Sequence, residues 1–137
     1  MRKAVILLTL IITAATSPSA QAIPPILPVA PDHIGGYQRS LFPTWLDVLH
    51  DGCTARKEVL MEEAVIAPKK EANCFLAGGE WIDPYSGNKL TKYSQVQIDH
   101  LVPLAEVWRS GGYAWTPQER AYYANDIFDH RTLIAVS

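Results

Sequence analysis

Asp99 and His100 place an acid and an imidazole side by side in the run Ile98-Asp99-His100-Leu101-Val102-Pro103-Leu104. The residues leading into them alternate, Val96, Ile98 and His100 against Gln97, Asp99 and Leu101, as in a β-strand that stops before Pro103. Successive side chains on a strand point to opposite faces, but the twist at a strand's end lets both reach one cleft. A carboxylate there is suited to holding a cation, and an imidazole to activating a water. Phosphodiester hydrolysis needs both: positive charge beside the phosphate and leaving oxygen, and a base for the attacking water. The same pair also serves as a structural cap on the turn ahead of Pro103, and a lone Asp-His dipeptide does not decide between the two.

Four further residues are candidates for supporting roles. Glu106, one helical turn beyond Pro103, is a second carboxylate near the pair, or a cap for its own helix. His130, in Asp129-His130-Arg131, precedes the last apolar run and is a candidate for the cleft or an exposed loop histidine. Arg56 and Glu58 lie in a charged stretch with Lys57, Glu62 and Glu63 whose spacing also suits solvated i,i+4 pairs. His33 and His50 read as a loop and a structural histidine.

The elements that must position these groups are short. Leu41, Phe42, Trp45, Leu46, Val48 and Leu49 surround Pro43 and predict a short packed helix after it. Asp51-Gly52 marks a turn. Residues 54–66 predict a helix with Val59, Leu60 and Ala64 on its apolar stripe, stopped by Pro68. Glu80-Trp81-Ile82, the turn-rich Asp83-Pro84-Tyr85-Ser86-Gly87, and Lys89-Leu90 predict a β-hairpin. Residues 104–109 read as a helix closed by Gly111-Gly112. Thr116, Pro117 and Glu119 form a capping box with proline at the first helical position, so a helix runs on to Ile127, with Tyr122, Tyr123 and Ile127 available for packing. Thr132-Leu133-Ile134-Ala135-Val136 predicts a buried strand, and Trp81, Trp108 and Trp115 read as core.

The chain opens on Arg2 and Lys3, a twelve-residue apolar run broken only by Thr9 and Thr13, and Ala20-Gln21-Ala22. That pattern is a secretory signal peptide over residues 1–22, the apolar run falling short of the roughly 20 residues a membrane span needs. Residues 23–35 form a Pro-rich linker, and residues 36–137 one domain. Without Arg2 and Lys3 the 12 basic residues become 10, against 14 acidic, a formal charge of −4. That balance lacks the basic face of a passive nucleic-acid binder and leaves open an enzyme that grips one or two phosphates. Cys53 and Cys74, an even count in an exported chain, predict a disulfide; no second ligand pair completes a zinc site.

Several spaced blocks carry a family resemblance. Residues 96–106 (VQIDHLVPLAE), Trp108-Arg109-Ser110-Gly111, Ala114-Trp115-Thr116, Arg120, Ala124-Asn125-Asp126 and residues 133–137 (LIAVS) resemble bacterial exported HNH endonucleases related to the C-terminal domain of GmrSD-type restriction enzymes. Upstream, residues 52–60 (GCTARKEVL) and 79–87 (GEWIDPYSG) are similar to the same family. The resemblance implies an α+β fold with a ββα-metal core, added N-terminal helices, a β-hairpin and one disulfide. The first strand of that core would end at Asp99-His100 and the second would be residues 132–136. Asp99 would be a metal ligand and His100 the general base, with Arg56 and Glu58 near the cleft. The implied cofactor is a divalent cation, Mg²⁺ first, with Mn²⁺ or Zn²⁺ as alternatives, and the implied substrate is nucleic acid, DNA ahead of RNA.

In that family a helix bearing Asn and Lys follows the second strand, whereas this sequence ends at Ser137. The expected core therefore lacks its final helix, and Asp99 alone is expected to hold a cation weakly. Three readings follow: a secreted metal-dependent endonuclease, an inactive remnant or binding domain of the same family, and a different metal hydrolase built on the same Asp-His pair.

Overall fold

The structure, a computed structural model, describes residues 30–137. The expected signal peptide and residues 23–29 of the linker lie outside the described residues. The architecture is α+β: three short helices and three two-stranded antiparallel sheets, with one disulfide.

Helix α1, Ala55–Glu62, begins where Thr54 takes extended backbone and its carbonyl accepts from the Lys57 and Glu58 amides. Ala55, Val59 and Leu60 turn inward. The helix is shorter than the predicted 54–66, because the amides of Val65 and Ile66 leave the helical pattern and donate to the Glu80 carbonyl, at 2.8 and 3.3 Å. Strands β1, Lys69–Lys70, and β2, Leu76–Ala77, then form a small hairpin that no alternation in the sequence announces. Its tight turn puts Asn73 and Cys74 in the left-handed region, at φ 55° and 54°. The expected disulfide is present: Cys53 and Cys74, with Cα atoms 5.3 Å apart, tie the start of α1 to this hairpin.

The predicted hairpin over residues 80–90 forms from β3, Trp81–Ile82, and β4, Lys89–Leu90, with Trp81 opposite Leu90. Trp81 is buried and its indole N–H donates to the Leu60 carbonyl at 2.8 Å, so this hairpin is keyed to α1. The two strands nearest the candidate site, β5, Gln97–His100, and β6, Leu133–Val136, pair antiparallel with Ile98 opposite Ala135 and His100 opposite Leu133. Ile98, His100, Leu133 and Ala135 face inward, while Gln97 and Asp99 face out, as the alternation predicted. The inward face joins Val59, Leu60, Leu76 and Trp81 in one core cluster. At the open edge of β6 the Ala135 amide donates to Glu63 Oε2 at 2.6 Å, so a carboxylate just past α1 closes an otherwise unpaired strand group.

A second core cluster gathers Phe42, Leu104, Val107, Trp108 and Ala124. It packs α2, Leu104–Arg109, against α3, Pro117–Ala124. The capping box of α3 is as predicted, Thr116 and Glu119 each satisfying the other's amide. The helix stops at Ala124, three residues short of Ile127, because Asn125 turns its side chain back onto the chain. Tyr122 stays exposed, whereas Tyr123 and Trp115 are half-buried against this cluster.

The helix predicted after Pro43 does not form. Asn125, 2% exposed, accepts from the Leu46 amide at 2.8 Å and donates to the Pro43 carbonyl at 2.7 Å, taking groups a helix would use. Asp47 likewise accepts from the amides of Asp51 and Gly52, and Trp45 and His50 adopt positive φ of 64° and 56°. The end of the Pro-rich segment is tied to α2. The His33 amide donates to the Arg109 carbonyl, the Trp108 indole donates to the Gly35 carbonyl, and the His33 ring stacks on Tyr113 at 3.9 Å. No helix among the described residues is long and apolar enough to cross a membrane.

Candidate functional site

Asp99 and His100 close β5, and the pleat sends them to opposite faces, one exposed and one 5% exposed. Both nevertheless line one open cleft of about 200 Å³, with Tyr37, Arg39, Pro103, Leu104 and Ala105 completing its wall. Asp99 Oδ1 accepts from the His100 amide at 2.8 Å, and its other carboxylate oxygen takes no hydrogen bond from the described residues.

His100 has one hydrogen-bond partner and two aromatic neighbours. Its Nε2 lies 3.1 Å from the carbonyl of Ala124, the last residue of α3. A carbonyl only accepts, so Nε2 carries the proton and Nδ1 keeps its lone pair. Nδ1 takes no hydrogen bond from the described residues. The rings of Tyr123 and Trp45 lie near the imidazole and roughly parallel to it, with centroids at 6.0 and 6.4 Å. Burial holds the imidazole below its ordinary pKa of 6.5; the Ala124 carbonyl pulls it up, Arg39 pushes it down, and Asp99 pulls it up. At neutral pH the ring is therefore uncharged, the form a general base requires.

The other sequence candidates lie elsewhere. Glu106 is satisfied within α2 and its cap: Arg109 Nε donates to it at 3.1 Å and Ser110 Oγ at 3.0 Å, and it does not line the cleft. Arg56 donates to the Val96 carbonyl, fastening α1 to the approach of β5. Glu58 does not line the cleft and lies beside Asp51, Asp47 and Lys70. Burial raises its pKa and its Oε1 is a buried acceptor without a partner. Asp51 and Glu58 approach Cys53 closely enough to suggest a cation site, but that sulfur is spent in the disulfide. His130 is exposed, and the charge it brings lies near Glu63.

Sequence reasoning missed two residues that the fold brings to the pair, Tyr37 and Arg39. They lie some sixty residues upstream, on a segment whose path is set by packing on Trp108, and no local pattern carries that information. The Trp108–Gly35 hydrogen bond, an edge contact between Tyr37 and Trp108, and buried Phe42 fix their position.

The donor set can be weighed against a cation. Among the described residues, no group of three close acidic, histidine or cysteine ligands includes Asp99. One carboxylate, backbone carbonyls, water and a substrate phosphate fit a hard, largely hydrated ion such as Mg²⁺, which commonly binds through one or two carboxylates. They do not supply the nitrogen and sulfur donors of a structural zinc site.

No protein-family model matches the chain, and no solved structure matches it. It is similar to an uncharacterized secreted protein of Arthroderma benhamiae, 37% identical over 102 residues that cover 74% of this chain and 48% of that protein. The chain thus spans about half the length of this relative. Its leader-like opening and this likeness agree, and the protein is secreted.

Proposed function

We propose that the chain is a metal-dependent endonuclease of the HNH type that hydrolyses phosphodiester bonds of DNA or RNA outside the cell. One observation carries the reading: at the end of β5 an outward carboxylate, Asp99, adjoins an imidazole that lines the same cleft, its Nε2 committed to the Ala124 carbonyl and its Nδ1 without a hydrogen bond from the described residues. The antiparallel β5–β6 pair supports it, matching the two strands of a ββα-metal core. Asp99 would hold the cation, Mg²⁺ or Mn²⁺, which when bound supplies positive charge for the phosphate and leaving oxygen. His100 Nδ1 accepts a proton from the attacking water, and the Nε2 hydrogen bond to the Ala124 carbonyl orients the imidazole.

A second reading, a catalytically inactive binding domain of the same family, is favoured by the cleft's single carboxylate. Plasmid incubated with the purified secreted chain separates the two. Nicking with Mg²⁺ or Mn²⁺, abolished by EDTA and reduced at least a hundredfold by His100→Ala and by Asp99→Ala, is the expected result. Cleavage that survives His100→Ala refutes the mechanism. No cleavage with either ion, by protein that still binds DNA, establishes the second reading.

A further inference from the structure

We propose that Arg39 is the phosphate-binding residue of the Asp99–His100 cleft, its guanidinium receiving the non-bridging oxygens of the phosphodiester to be cut. The inference rests on the nuclease reading and adds to it the group that seats the substrate. Arg39 opens the 3₁₀ turn Arg39–Leu41 and lines the same cleft as Asp99 and His100, close enough for its charge to act on the imidazole. It is exposed and forms no ion pair among the described residues, although an acid shares its cleft.

The backbone that presents Arg39 is clamped on both sides. Upstream, Gly35 accepts from the Trp108 indole. Gly36, at φ +71°, runs so close to that ring that an added Cβ would meet it at 3.4 Å. Downstream, the Phe42 amide donates to the Arg39 carbonyl, Arg120 Nε donates to the Leu41 carbonyl at 3.0 Å, and Phe42 is buried. The fixed backbone lowers the entropy lost when the side chain engages an anion. A guanidinium offers two parallel N–H donors to paired phosphate oxygens, a geometry lysine cannot reproduce. A net acidic chain has few cations to spend on phosphate, so one lining the cleft of the candidate base gives that cleft its polarity: acid for a cation, arginine for an anion.

The test compares the full secreted chain with its Arg39→Gln and Arg39→Lys variants, using a fluorescein-labelled DNA duplex. Anisotropy in EDTA reads binding across a salt series, and Mg²⁺ or Mn²⁺ assays read KM and kcat. Loss of one charge-assisted contact predicts about a tenfold rise in Kd and KM for Arg39→Gln. The slope of log affinity against log salt should fall by about one. Arg39→Lys should keep the salt slope and recover only part of the affinity. Inorganic phosphate should compete with the duplex for the wild type and lose most of that competition in Arg39→Gln. Equal thermal stability of all three proteins establishes that the fold is intact, as expected for an exposed side chain. If the wild type cleaves DNA while Arg39→Gln matches it in Kd, KM and salt slope, the proposal is overturned and the nuclease reading stands. If DNA is bound through Arg39 but not cut, the nuclease reading fails and the phosphate site stands. Absence of both binding and cleavage removes both.

Discussion

Asn125→Ala tests how the candidate site is held. Asn125 is nearly fully buried and makes three side-chain hydrogen bonds: from the Leu46 amide at 2.8 Å, to the Pro43 carbonyl at 2.7 Å and to the Ala121 carbonyl at 2.8 Å. The first two span about eighty residues of chain and fix the loop that carries Trp45. Truncation leaves the Leu46 amide and the Pro43 carbonyl without partners. A buried group so orphaned costs about 1–3 kcal/mol. Both groups here are only part-buried, which places each near the lower end of that range, and the small cavity adds to them. A total near 3 kcal/mol is expected, a large part of the roughly 5–15 kcal/mol that holds a domain of this size. At about 4–8 °C per kcal/mol, the melting temperature should fall by roughly 12–24 °C.

Thermal unfolding followed by far-UV circular dichroism measures this directly. Asn125→Asp sharpens it. The aspartate keeps an acceptor for the Leu46 amide but turns a carboxylate toward two carbonyls, which raises its pKa. A group with a raised folded pKa loses its contribution as pH rises through that value. Asn125→Asp should therefore be more nearly native in stability at pH 4 than at pH 7. A loss below about 1 kcal/mol for Asn125→Ala, within the range of ordinary surface changes, refutes the account. So does an Asn125→Asp protein equally stable at both pH values.

Three further outcomes follow from the same structure. Reducing Cys53–Cys74, which closes a 21-residue separation, should cost about 3 kcal/mol; unchanged melting with and without dithiothreitol would contradict this. Gly79→Ala should be far worse than Gly78→Ala. Both glycines have positive φ, 93° and 72°, but a Cβ at Gly79 would meet the Trp81 ring at 2.5 Å while one at Gly78 meets nothing within 4 Å. Gly78→Ala should cost about 1–2 kcal/mol for its left-handed backbone, and parallel urea curves showing equal losses would refute the distinction. Asp83 accepts from the Ser137 hydroxyl and amide and from the Tyr85 amide, which together hold its carboxyl well below its ordinary value of 3.8. A lowered carboxylate contributes stability in full above its unfolded pKa and loses it as pH falls below. The gap between wild type and Asp83→Asn in urea midpoint should narrow as pH drops below 3.8, and a constant gap would show that the carboxylate's charge is not what matters.

What could be read from the sequence was local, and what could not depended on distant partners. The α3 capping box was legible because Thr116, Pro117 and Glu119 satisfy one another within four residues. The alternation of β5 was legible because burial on one face imposes period two, and Cys53 and Cys74 were legible by count alone. The helix expected after Pro43 was wrong for the opposite reason. Its apolar residues suit a helix, but its backbone groups are claimed by Asn125, nearly eighty residues downstream. The site divides along the same line. Asp99-His100 announces itself as a dipeptide at a strand's end. What makes the pair chemically directed lies in other elements: the Ala124 carbonyl that sets the tautomer, the Tyr123 and Trp45 rings beside the imidazole, and Arg39, carried in on a segment anchored by Trp108. Asn125 follows directly on Ala124 and also binds the loop bearing Trp45, so one buried amide bears on both the hydrogen-bond partner and an aromatic neighbour of His100. A fault there should loosen the base without touching it, so that any cleavage by Asn125→Ala should fall by more than its folded fraction explains, at a temperature where the fold persists.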